Sequence, residues 1–328
     1  MKYLEQSSVT KPLSRIGLGT WQFGSREWGY GDSYSSEDAA RIVGRALDVG
    51  ITLFDTAEVY AFGRSERILG SALAARDPRE SSFVATKFFP VLPIAPVVHR
   101  RGRASAGRLG VSTIDLYQVH QPNPIIRDGT TMAGMRVLQD AGTVTHVGVS
   151  NYSLSRWQQA EIDLGRPVLS NQVQFSLAHA SPLDDLVPHA ADNDRVVIAW
   201  SPLAQGLLSG RYDVTHQPSG AIRGMNPLFL EENLQRAAGL LDALRDIAGA
   251  HGVTPAQVAL AWLIHQPGVV AIPGASSIEQ VEKNAEAADI DLTDAQVADL
   301  TAQARQFEPI STGRAGRALV RRRLDRSS

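Results

Sequence analysis

Four polar side chains stand at or just after the ends of short apolar runs that are typical of buried strands. Asp55 ends one run, Lys87 and His120 end two others, and Tyr60 lies a few residues after Asp55. Any one of them alone would be read as a helix cap or a solvated residue. In a closed α/β barrel, however, the reactive groups gather at the carboxyl ends of the strands. We therefore expect the four side chains to meet at one rim.

Together these groups have the chemistry to protonate an oxygen. A phenol, with a pKa of about 10, is a poor acid at neutral pH. A nearby ammonium group lowers that pKa, and a buried carboxylate keeps the ammonium charged. Tyr60, Lys87 and Asp55 would then donate a proton to a developing alkoxide, while His120 would hydrogen-bond and orient the substrate carbonyl. A cofactor must supply any hydride, because no side chain can.

The alternation of short apolar runs with longer amphipathic stretches predicts the strands and helices that position these residues. The strands are predicted at 15–18, 52–55, 83–87, 116–120, 145–149, 168–172, 196–200 and 269–272, and the helices at 36–48, 64–73, 99–109, 130–140, 153–164, 183–192, 231–250, 255–265 and 277–287. Eight strand–helix units in about 270 residues predict a (β/α)8 TIM barrel. Residues 201–230 contain many Gly, Pro and polar residues and predict a long loop after strand seven.

A doubly wound sheet would produce the same alternation. That fold predicts a G-x-G-x-x-G turn after the first strand. The chain has Gly17 and Gly19 there, but the next glycine is Gly24, which comes too late for this spacing. No segment matches the phosphate-binding loop of nucleotide hydrolases. The barrel is therefore the preferred fold.

Composition excludes several classes of protein. The chain has no cysteine, which excludes disulfides, thiolate metal sites and a cysteine nucleophile. Its net charge of -2 gives no overall attraction to nucleic acid or an anionic membrane. The eight histidines form no H-E-x-x-H or other compact pair of metal ligands, so a metal hydrolase has little support. The N-terminus lacks the layout of a signal peptide and no apolar run is long enough to span a membrane, so we expect a cytoplasmic protein.

Two segments resemble the aldo-keto reductase superfamily. The run from Gly50 to Tyr60, continued by Gly63, Arg64, Ser65, Glu66 and Gly70, is similar to the first signature of the family. The run from Ile114 to His120 is similar to its second conserved block. The match extends from about Arg15 to Asn284, and the early loop and Gly148-Val149-Ser150-Asn151 also resemble the potassium-channel β-subunits. This resemblance implies that Asp55, Tyr60, Lys87 and His120 are the catalytic tetrad.

The resemblance also implies an NADP(H) cofactor, bound in extended form without a Rossmann domain. Ser150, Asn151 and Gln172 match the carboxamide ligands of the family, and Trp200 matches the aromatic residue that stacks on the nicotinamide. The other positions implied to bind cofactor are Gly19, Thr20 and Trp21 in the first loop, Ser201, Leu203, Gln205 and Gly206 over the pyrophosphate, and Gly274, Ser276, Ser277, Gln280 and Asn284 at the adenosine phosphate. A helix N-terminus at this last site suits an anion.

Each cofactor residue also has a structural alternative. Ser150 and Asn151 would also fit a turn with a helix cap, Gln172 a buried amide bonded to backbone, and Trp200 a core aromatic. The chain departs from many relatives by lacking Arg or Lys near Ser276, where a charged clamp on the 2′-phosphate is common. NADP(H) remains the expectation because relatives with a similar stretch are NADP-linked. Ala61 replaces the glycine that commonly follows the catalytic tyrosine.

The domain expectation is one aldo-keto reductase-like barrel over residues 1–328, with a core at about 15–306 and a C-terminal loop or tail at 307–328. The tail carries Arg321, Arg322, Arg323 and Arg326, a run that is most often solvated or disordered.

The expected substrate is a small aldehyde or ketone of modest size. Aromatic residues on loops suggest a partly aromatic pocket, although about half would simply pack the loops onto the barrel: Trp21, Phe23, Trp28, Tyr30, Phe88 and Phe89. Arg127 and Arg223 would reach the mouth. Two other functions remain open, a regulatory cofactor binder like the channel β-subunits and an NAD-linked alcohol or sugar dehydrogenase.

Overall fold

Ten strands form in the computed structural model, which describes residues 1–25, 29–31, 35–76, 81–218 and 226–310. The strands are β1 (Tyr3–Leu4), β2 (Leu13–Ser14), β3 (Leu18–Gly19), β4 (Leu53–Asp55), β5 (Phe83–Phe88), β6 (Ile114–Val119), β7 (Val144–Ser150), β8 (Val168–Gln174), β9 (Val196–Trp200) and β10 (Val269–Ala271). β1 and β2 pair antiparallel, and the other eight form one parallel sheet in chain order.

The parallel sheet closes on itself between β3 and β10. Parallel bridges join Ile16 to Ala271 and Gly19 to Gly274. The Gly17 amide donates to the Ala271 carbonyl at 2.8 Å, and the Ala271 amide donates to the Arg15 carbonyl at 2.8 Å. The predicted (β/α)8 barrel is thus confirmed.

Helices surround the sheet. They are α1 (Ser36–Asp48), α2 (Arg64–Ala74), α3 (Ala95–Leu109), α4 (Asp128–Asp140), α5 (Leu154–Leu164), α6 (Leu186–Asp192), α7 (Glu231–Arg236), α8 (Ala238–His251), α9 (Pro255–His265), α10 (Ile278–Glu286) and α11 (Asp294–Gln306). Ser35 caps α1 with a reciprocal capping box to Asp38. Gly110, Gly165 and Gly252 end α3, α5 and α8 in the left-handed conformation that glycine adopts without strain.

Side chains point alternately into and out of the barrel along each strand, and this decides which of them reach the inner face. In β4, Leu53 belongs to the cluster inside the barrel and Phe54 to the layer under the helices. In β5, Phe83 and Ala85 point inward while Val84 and Phe88 pack outward. Because side chains alternate along a strand, Asp55 and Lys87 fall on the inner face at the top of the barrel.

Several elements differ from the sequence prediction. The hairpin β1–β2 was not predicted, because two-residue strands carry no measurable period. Helix α11 was also missed, although Thr293 and Gln296 form a capping box at its start. The helix predicted at 231–250 is two helices that meet at Ala237. Trp28, Arg223 and the arginine run at 321–326 lie outside the described residues.

The predicted long loop at 201–230 is described in two parts. Short 3-10 helices cover Ala204–Ser209 and Pro227–Phe229. Among the described helices, none alone is long and apolar enough to cross a bilayer, and only α8 joined with α9, at a bend of 94°, meets that test of length and composition.

Candidate active site

A buried ion pair lies under the rim of the barrel. The Lys87 ammonium donates to Asp55 Oδ1 at 2.6 Å, to Asp55 Oδ2 at 2.8 Å and to the Thr56 carbonyl at 2.8 Å. Both side chains are almost fully buried. Burial by itself lowers the pKa of Lys87, but the Asp55 carboxylate and the Tyr60 phenol raise it by more, so the net shift is upward. Lys87 is therefore charged at neutral pH.

Gln172 holds the carboxylate from the far side of the barrel. Its side-chain amide donates to Asp55 Oδ2 at 2.8 Å, although the two residues are 117 positions apart. Asp55 thus accepts from both an ammonium and an amide, which satisfies a carboxylate that would be costly to bury alone. The resemblance implies that Gln172 binds a carboxamide; in this structure its amide nitrogen also orients Asp55.

Tyr60 lies above the ion pair. The Lys87 ammonium is 5.1 Å from the centre of the Tyr60 ring. Burial raises the pKa of Tyr60, Lys87 lowers it and Asp55 raises it again, with a net upward shift. The expected influence of Lys87 on Tyr60 is present, since the ammonium lowers this pKa, but burial raises it by more. Tyr60 is consequently protonated at neutral pH, the state that a proton donor requires.

His120 completes the group of four. Its ring centre is 5.8 Å from that of Tyr60, with the two rings almost perpendicular at 82°. Burial and the Lys87 charge lower the pKa of His120 to about 3. His120 Nδ1 has no hydrogen-bond partner among the described residues. A neutral imidazole therefore lies beside a protonated phenol, and both residues line a cavity of about 1040 Å³.

The predicted carboxamide ligands adjoin this cavity. The Ser150 hydroxyl donates to the Gln172 carbonyl at 2.8 Å, and the Asn151 amide donates to the His120 carbonyl at 3.3 Å. Asn151 has a positive φ of 61°, a conformation that asparagine tolerates better than most residues. Neither residue caps α5, since Ser153 does so. The structure therefore does not support the alternative that Ser150 and Asn151 only form a turn with a helix cap.

Trp200 ends β9 and is partly exposed, so it is not a core aromatic. Its indole N–H donates to Asn151 Oδ1 at 3.1 Å. The chain then turns through Ser201, whose φ is 52°, and continues over the cavity. Gln205 accepts a hydrogen bond from Asn226 at 2.8 Å, which ties the two described parts of the long loop together.

At the other end of the cavity lies the N-terminus of α10. The Ser276 amide donates to Gln280 Oε1 at 2.8 Å, while the Ser277 hydroxyl accepts from the Gln280 amide and caps the helix. Asn284 is about nine-tenths buried and lines the cavity. Fifteen of the sixteen predicted cofactor positions line the cavity. The exception is Ser277, whose hydroxyl caps α10.

Sequence reasoning missed several residues that line the same cavity. Arg211 and Lys283 bring positive charge to the α10 end, and Gln22 lies beneath Gly274 with its amide on the Ala275 carbonyl at 2.7 Å. Lys283 lies next to Asn284 and one helical turn after Gln280, so helical spacing was an available signal for it. Nothing local marked Arg211, because it lies in an irregular loop.

The aromatic residues expected around the mouth divide into two groups. Trp21 and Phe89 line the cavity, with Trp21 6.4 Å from Tyr60 and Phe89 6.0 Å from His120 between ring centres. Phe23 and Phe88 are fully buried, and Phe88 stacks on Tyr117 in the layer under the helices. These two belong to the part of the set, about half, that was expected to pack against the barrel without reaching the pocket. Tyr30 and Arg127 do not line the cavity.

No group of three or more His, Asp or Glu side chains within the described ranges is arranged to hold a metal ion. The polar side chains at the catalytic end of the cavity are a phenol, an imidazole and a carboxylate–ammonium pair.

Comparisons with known proteins identify the family. A sequence profile of the Aldo/keto reductase family matches residues 15–305. An uncharacterized oxidoreductase of Mycobacterium tuberculosis is 57% identical over 326 residues, which cover 99% of this chain and all of that protein.

Two solved structures are similar over nearly the whole chain. A glycerol dehydrogenase from Gluconobacter oxydans superposes with a TM-score of 0.82 at 28% identity, covering 94% of this chain and 98% of that one. An aldo/keto reductase from Klebsiella pneumoniae in complex with NADP and acetate gives a TM-score of 0.73 at 29% identity, covering 94% of this chain and 96% of that one.

Proposed function

The chain belongs to the aldo/keto reductase family of oxidoreductases, and from that premise we propose that it reduces aldehydes or ketones to alcohols with NADPH, using Tyr60 as the proton donor. The observation that carries this proposal is the pairing of a protonated phenol with a neutral imidazole on one cavity wall, above a charged Lys87–Asp55 pair.

The residues along the cavity fit an extended dinucleotide. The cavity volume of about 1040 Å³ leaves room for a cofactor and a small substrate. Ser150, Asn151 and Trp200 offer hydroxyl, amide and aromatic groups beside the catalytic rim. At the far end Asn284, about nine-tenths buried, lines the cavity and offers a side-chain amide that can both donate and accept hydrogen bonds.

When bound, NADPH would supply the hydride. The protein then has to place the carbonyl and provide a proton. The neutral His120 and the Tyr60 hydroxyl would both donate to the carbonyl oxygen, which polarises it and holds its carbon toward the nicotinamide. As negative charge develops on that oxygen, Tyr60 gives up its proton and the Lys87 ammonium stabilises the resulting phenolate. The products would be the alcohol, the oxidised cofactor NADP⁺ and a Tyr60 phenolate, which regains a proton from solvent.

Preference for NADPH over NADH is supported by charge at the α10 end. The Lys283 ammonium donates to Glu279 at 2.6 Å. The pKa of Glu279 is lowered first by that hydrogen bond and also by the charge of Arg211, so both cations lie near the start of α10. They would supply the positive charge that Ser276 and its neighbours lack, and a 2′-phosphate would compete with Glu279 for them.

A matched pair of variants tests this preference. Because the cations are exposed, Lys283→Gln should raise the Kd of NADPH by about fivefold and leave that of NADH nearly unchanged. Glu279→Gln removes the competing carboxylate and should lower the Kd of NADPH. Fluorescence titration with both cofactors measures these changes, and equal effects on NADPH and NADH would contradict the assignment.

The proposed activity is tested by titrating the purified protein with NADPH and with NADH, and then following cofactor oxidation with a panel of aldehydes and ketones. Tight NADPH binding with turnover is the expected result. Binding without turnover would favour a regulatory cofactor binder. A protein that binds neither cofactor would overturn the proposal.

A further inference from the structure

Glu58 lies two residues before Tyr60, at the point where the chain leaves the barrel. Strand β4 ends at Asp55, and Tyr60 begins a short 3-10 helix that ends at Gly63. Although Glu58 lies between these two elements, its side chain is only 10% exposed. A carboxylate at such depth is costly unless its oxygens are paired, so Glu58 requires close partners.

Both the backbone and the side chain of Glu58 bind the segment at the end of β5. The Glu58 amide donates to the Lys87 carbonyl at 3.0 Å. Its carboxylate oxygen Oε1 accepts from the Phe89 amide at 2.7 Å. Since the last paired residue of β4 is Asp55, these two bonds extend the connection beyond the sheet. Glu58 therefore links the segment that carries Tyr60 to the segment that carries Lys87.

Arg101 on α3 holds the same carboxylate. Its Nε donates to Glu58 Oε2 at 3.1 Å, and a second guanidinium nitrogen lies 2.7 Å from Glu58 Oε1. This two-point contact fixes the orientation of the carboxylate as well as its position. Arg101 also donates to the Val91 carbonyl at 3.3 Å, which ties the loop after β5 to the same helix.

The turn that follows Tyr60 depends on contacts of this kind. Ala61 has a φ of 47° and Phe62 a φ of 55°. Residues other than glycine adopt this region at a cost, and they keep it only where the surrounding structure holds the backbone. Loss of the Glu58 contacts would let the strained turn relax and would move Tyr60 with it.

The catalytic geometry depends on how the two segments lie relative to each other. The Lys87 ammonium is 5.1 Å from the centre of the Tyr60 ring. The Phe89 ring centre is 6.0 Å from that of His120, and both rings line the cavity together with Tyr60. A shift of one segment against the other therefore changes the distance between the phenol and the ammonium that would stabilise its phenolate.

We propose that Glu58 is a positioning residue for the reaction, and that with Arg101 it holds Tyr60 at its working distance from Lys87. This inference rests on the proposed reductase function. Glu58 does not line the cavity, so it acts through Tyr60 and not on the substrate.

A second ion pair in the same layer provides the matched control. Glu66 on α2 is fully buried, is paired with Arg108 on α3 and accepts from Thr86 Oγ1 at 2.7 Å. Burial raises the pKa of Tyr117, and the charges of Glu58 and Glu66 raise it further, so both carboxylates lie near that phenol. Among the described residues, the Glu66 side chain is hydrogen-bonded to β5 and α3 and not to the loop after β5.

The test compares Glu58→Ala with Glu58→Gln, using NADPH and the aldehyde that the wild type reduces fastest. Alanine removes both the acceptor for the Phe89 amide and the partner of Arg101. We expect kcat to fall by about 10–100-fold while the Kd of NADPH changes by less than about threefold, because misplaced reacting groups slow the chemical step. Glutamine keeps an oxygen that accepts from the Phe89 amide and should restore kcat to within about fivefold of the wild type.

The solvent isotope effect on kcat, measured in H2O and D2O, separates positioning from loss of stability. It increases when proton transfer from Tyr60 limits turnover, so it should rise in Glu58→Ala. Glu66→Ala, with Glu66→Gln as a milder second control, should lower the midpoint of urea denaturation but leave kcat and the isotope effect of the folded protein unchanged.

Two outcomes overturn the inference while wild-type turnover still supports the reductase function. One is a Glu58→Ala protein with the kcat and isotope effect of the wild type. The other is an equal loss of kcat in Glu58→Ala and Glu66→Ala without a change in isotope effect, which would give Glu58 a structural role only. A wild type that reduces none of the aldehydes removes the proposed function and the inference together, and that result is distinct from the other two.

If Glu58→Ala does not fold, the arginines of the two pairs give the same comparison. Arg101→Met leaves the Phe89 amide bonded to Glu58 but frees the carboxylate to rotate, so kcat should fall by about threefold to tenfold and the isotope effect should rise. Arg108→Met should change neither quantity. A folded Arg101→Met protein with wild-type kcat overturns the inference.

Discussion

At the scale of single residues, the site depends on the balance between burial and charge. The Lys87–Asp55 pair is almost fully buried, so each charge persists only because the other is present. The same burial raises the pKa of Tyr60 and helps to lower that of His120 to about 3. The phenol thus keeps its proton and the imidazole remains neutral. A protonated phenol and a neutral imidazole can each donate a hydrogen bond.

The first residue-scale prediction concerns the proton of Tyr60. Tyr60→Phe removes the hydroxyl and keeps the ring, so carbonyl reduction should fall by roughly 10²–10⁴-fold. The Kd of NADPH should change by only a few-fold, since the hydroxyl serves the proton transfer. Steady-state assays and fluorescence titration measure the two effects. Turnover close to wild type would remove Tyr60 from the mechanism.

The second prediction concerns pH. Lys87 lowers the pKa of both Tyr60 and His120, so Lys87→Met should raise both pKa values. In the wild type, His120 stays neutral down to a pH of about 3 and should cause no loss of kcat/KM between pH 5 and 8. In the variant, protonation of His120 should begin at a higher pH, so kcat/KM should fall toward the acid end of this range. The maximum value of kcat/KM should also be lower than in the wild type.

A double variant controls for the charge that Lys87→Met leaves behind. Asp55→Asn with Lys87→Met removes both charges and should recover part of the unfolding free energy that Lys87→Met alone loses, about 3–5 kcal/mol. Both proteins should show the altered pH profile of kcat/KM. The relay is refuted by a profile that matches the wild type in a folded Lys87→Met protein.

At the scale of elements, the approach of α2 to α3 depends on a glycine. A Cβ at Gly70 would lie 2.7 Å from the carbonyl carbon of Leu109. The two helices follow β4 and β5 and support the loops that carry Tyr60 and Phe89. Close contact of α2 with α3 therefore helps to position the catalytic rim.

Gly70→Ala should reduce the free energy of unfolding by about 1–3 kcal/mol, because the helices must separate. The matched control is Gly107→Ala on α3, where an added Cβ meets no atom within 4 Å. That change should be neutral or should stabilise by up to about 1 kcal/mol, since alanine favours helix. Urea denaturation measures both. Equal effects of the two substitutions would contradict the packing argument.

At the scale of the whole molecule, closure of the barrel joins the first and last parts of the sheet. Gly19 on β3 and Gly274 after β10 are bridged, and both line the cavity. A ligand that contacts both Gly19 and Gly274 would bind only the closed barrel. The eight parallel strands form one continuous sheet, which supports the proposal of a single barrel domain.

Unfolding should therefore occur in one transition, and bound cofactor should move its midpoint to a higher urea concentration. Circular dichroism and tryptophan fluorescence should give coincident urea curves. NADPH at 100 times its Kd should raise the free energy of unfolding by about 2.7 kcal/mol. Two separated transitions would argue against one domain, and an unshifted curve would argue against NADPH binding to the folded state.

Much of the fold was predictable because its signals are local. Helix α1 and strand β9 begin and end where the apolar period and the flanking residues predicted. The four catalytic candidates stood out as a combination, because a carboxylate, an ammonium, a phenol and an imidazole all lie at or soon after predicted strand ends. Helix α11 and the hairpin β1–β2 escaped prediction, since one has a weak period and the other is too short to show one.

The sequence by itself determined the order of strands and helices, the residue types at the strand ends and the resemblance to the family. Only the tertiary structure decided that Gln172 binds Asp55 across the barrel, that burial outweighs Lys87 at Tyr60, and that Phe23 belongs to the core. It also brought Arg211 to the α10 end of the cavity. Periodicity and capping act between near neighbours in the chain, whereas burial and charge depend on segments that meet only when the barrel closes.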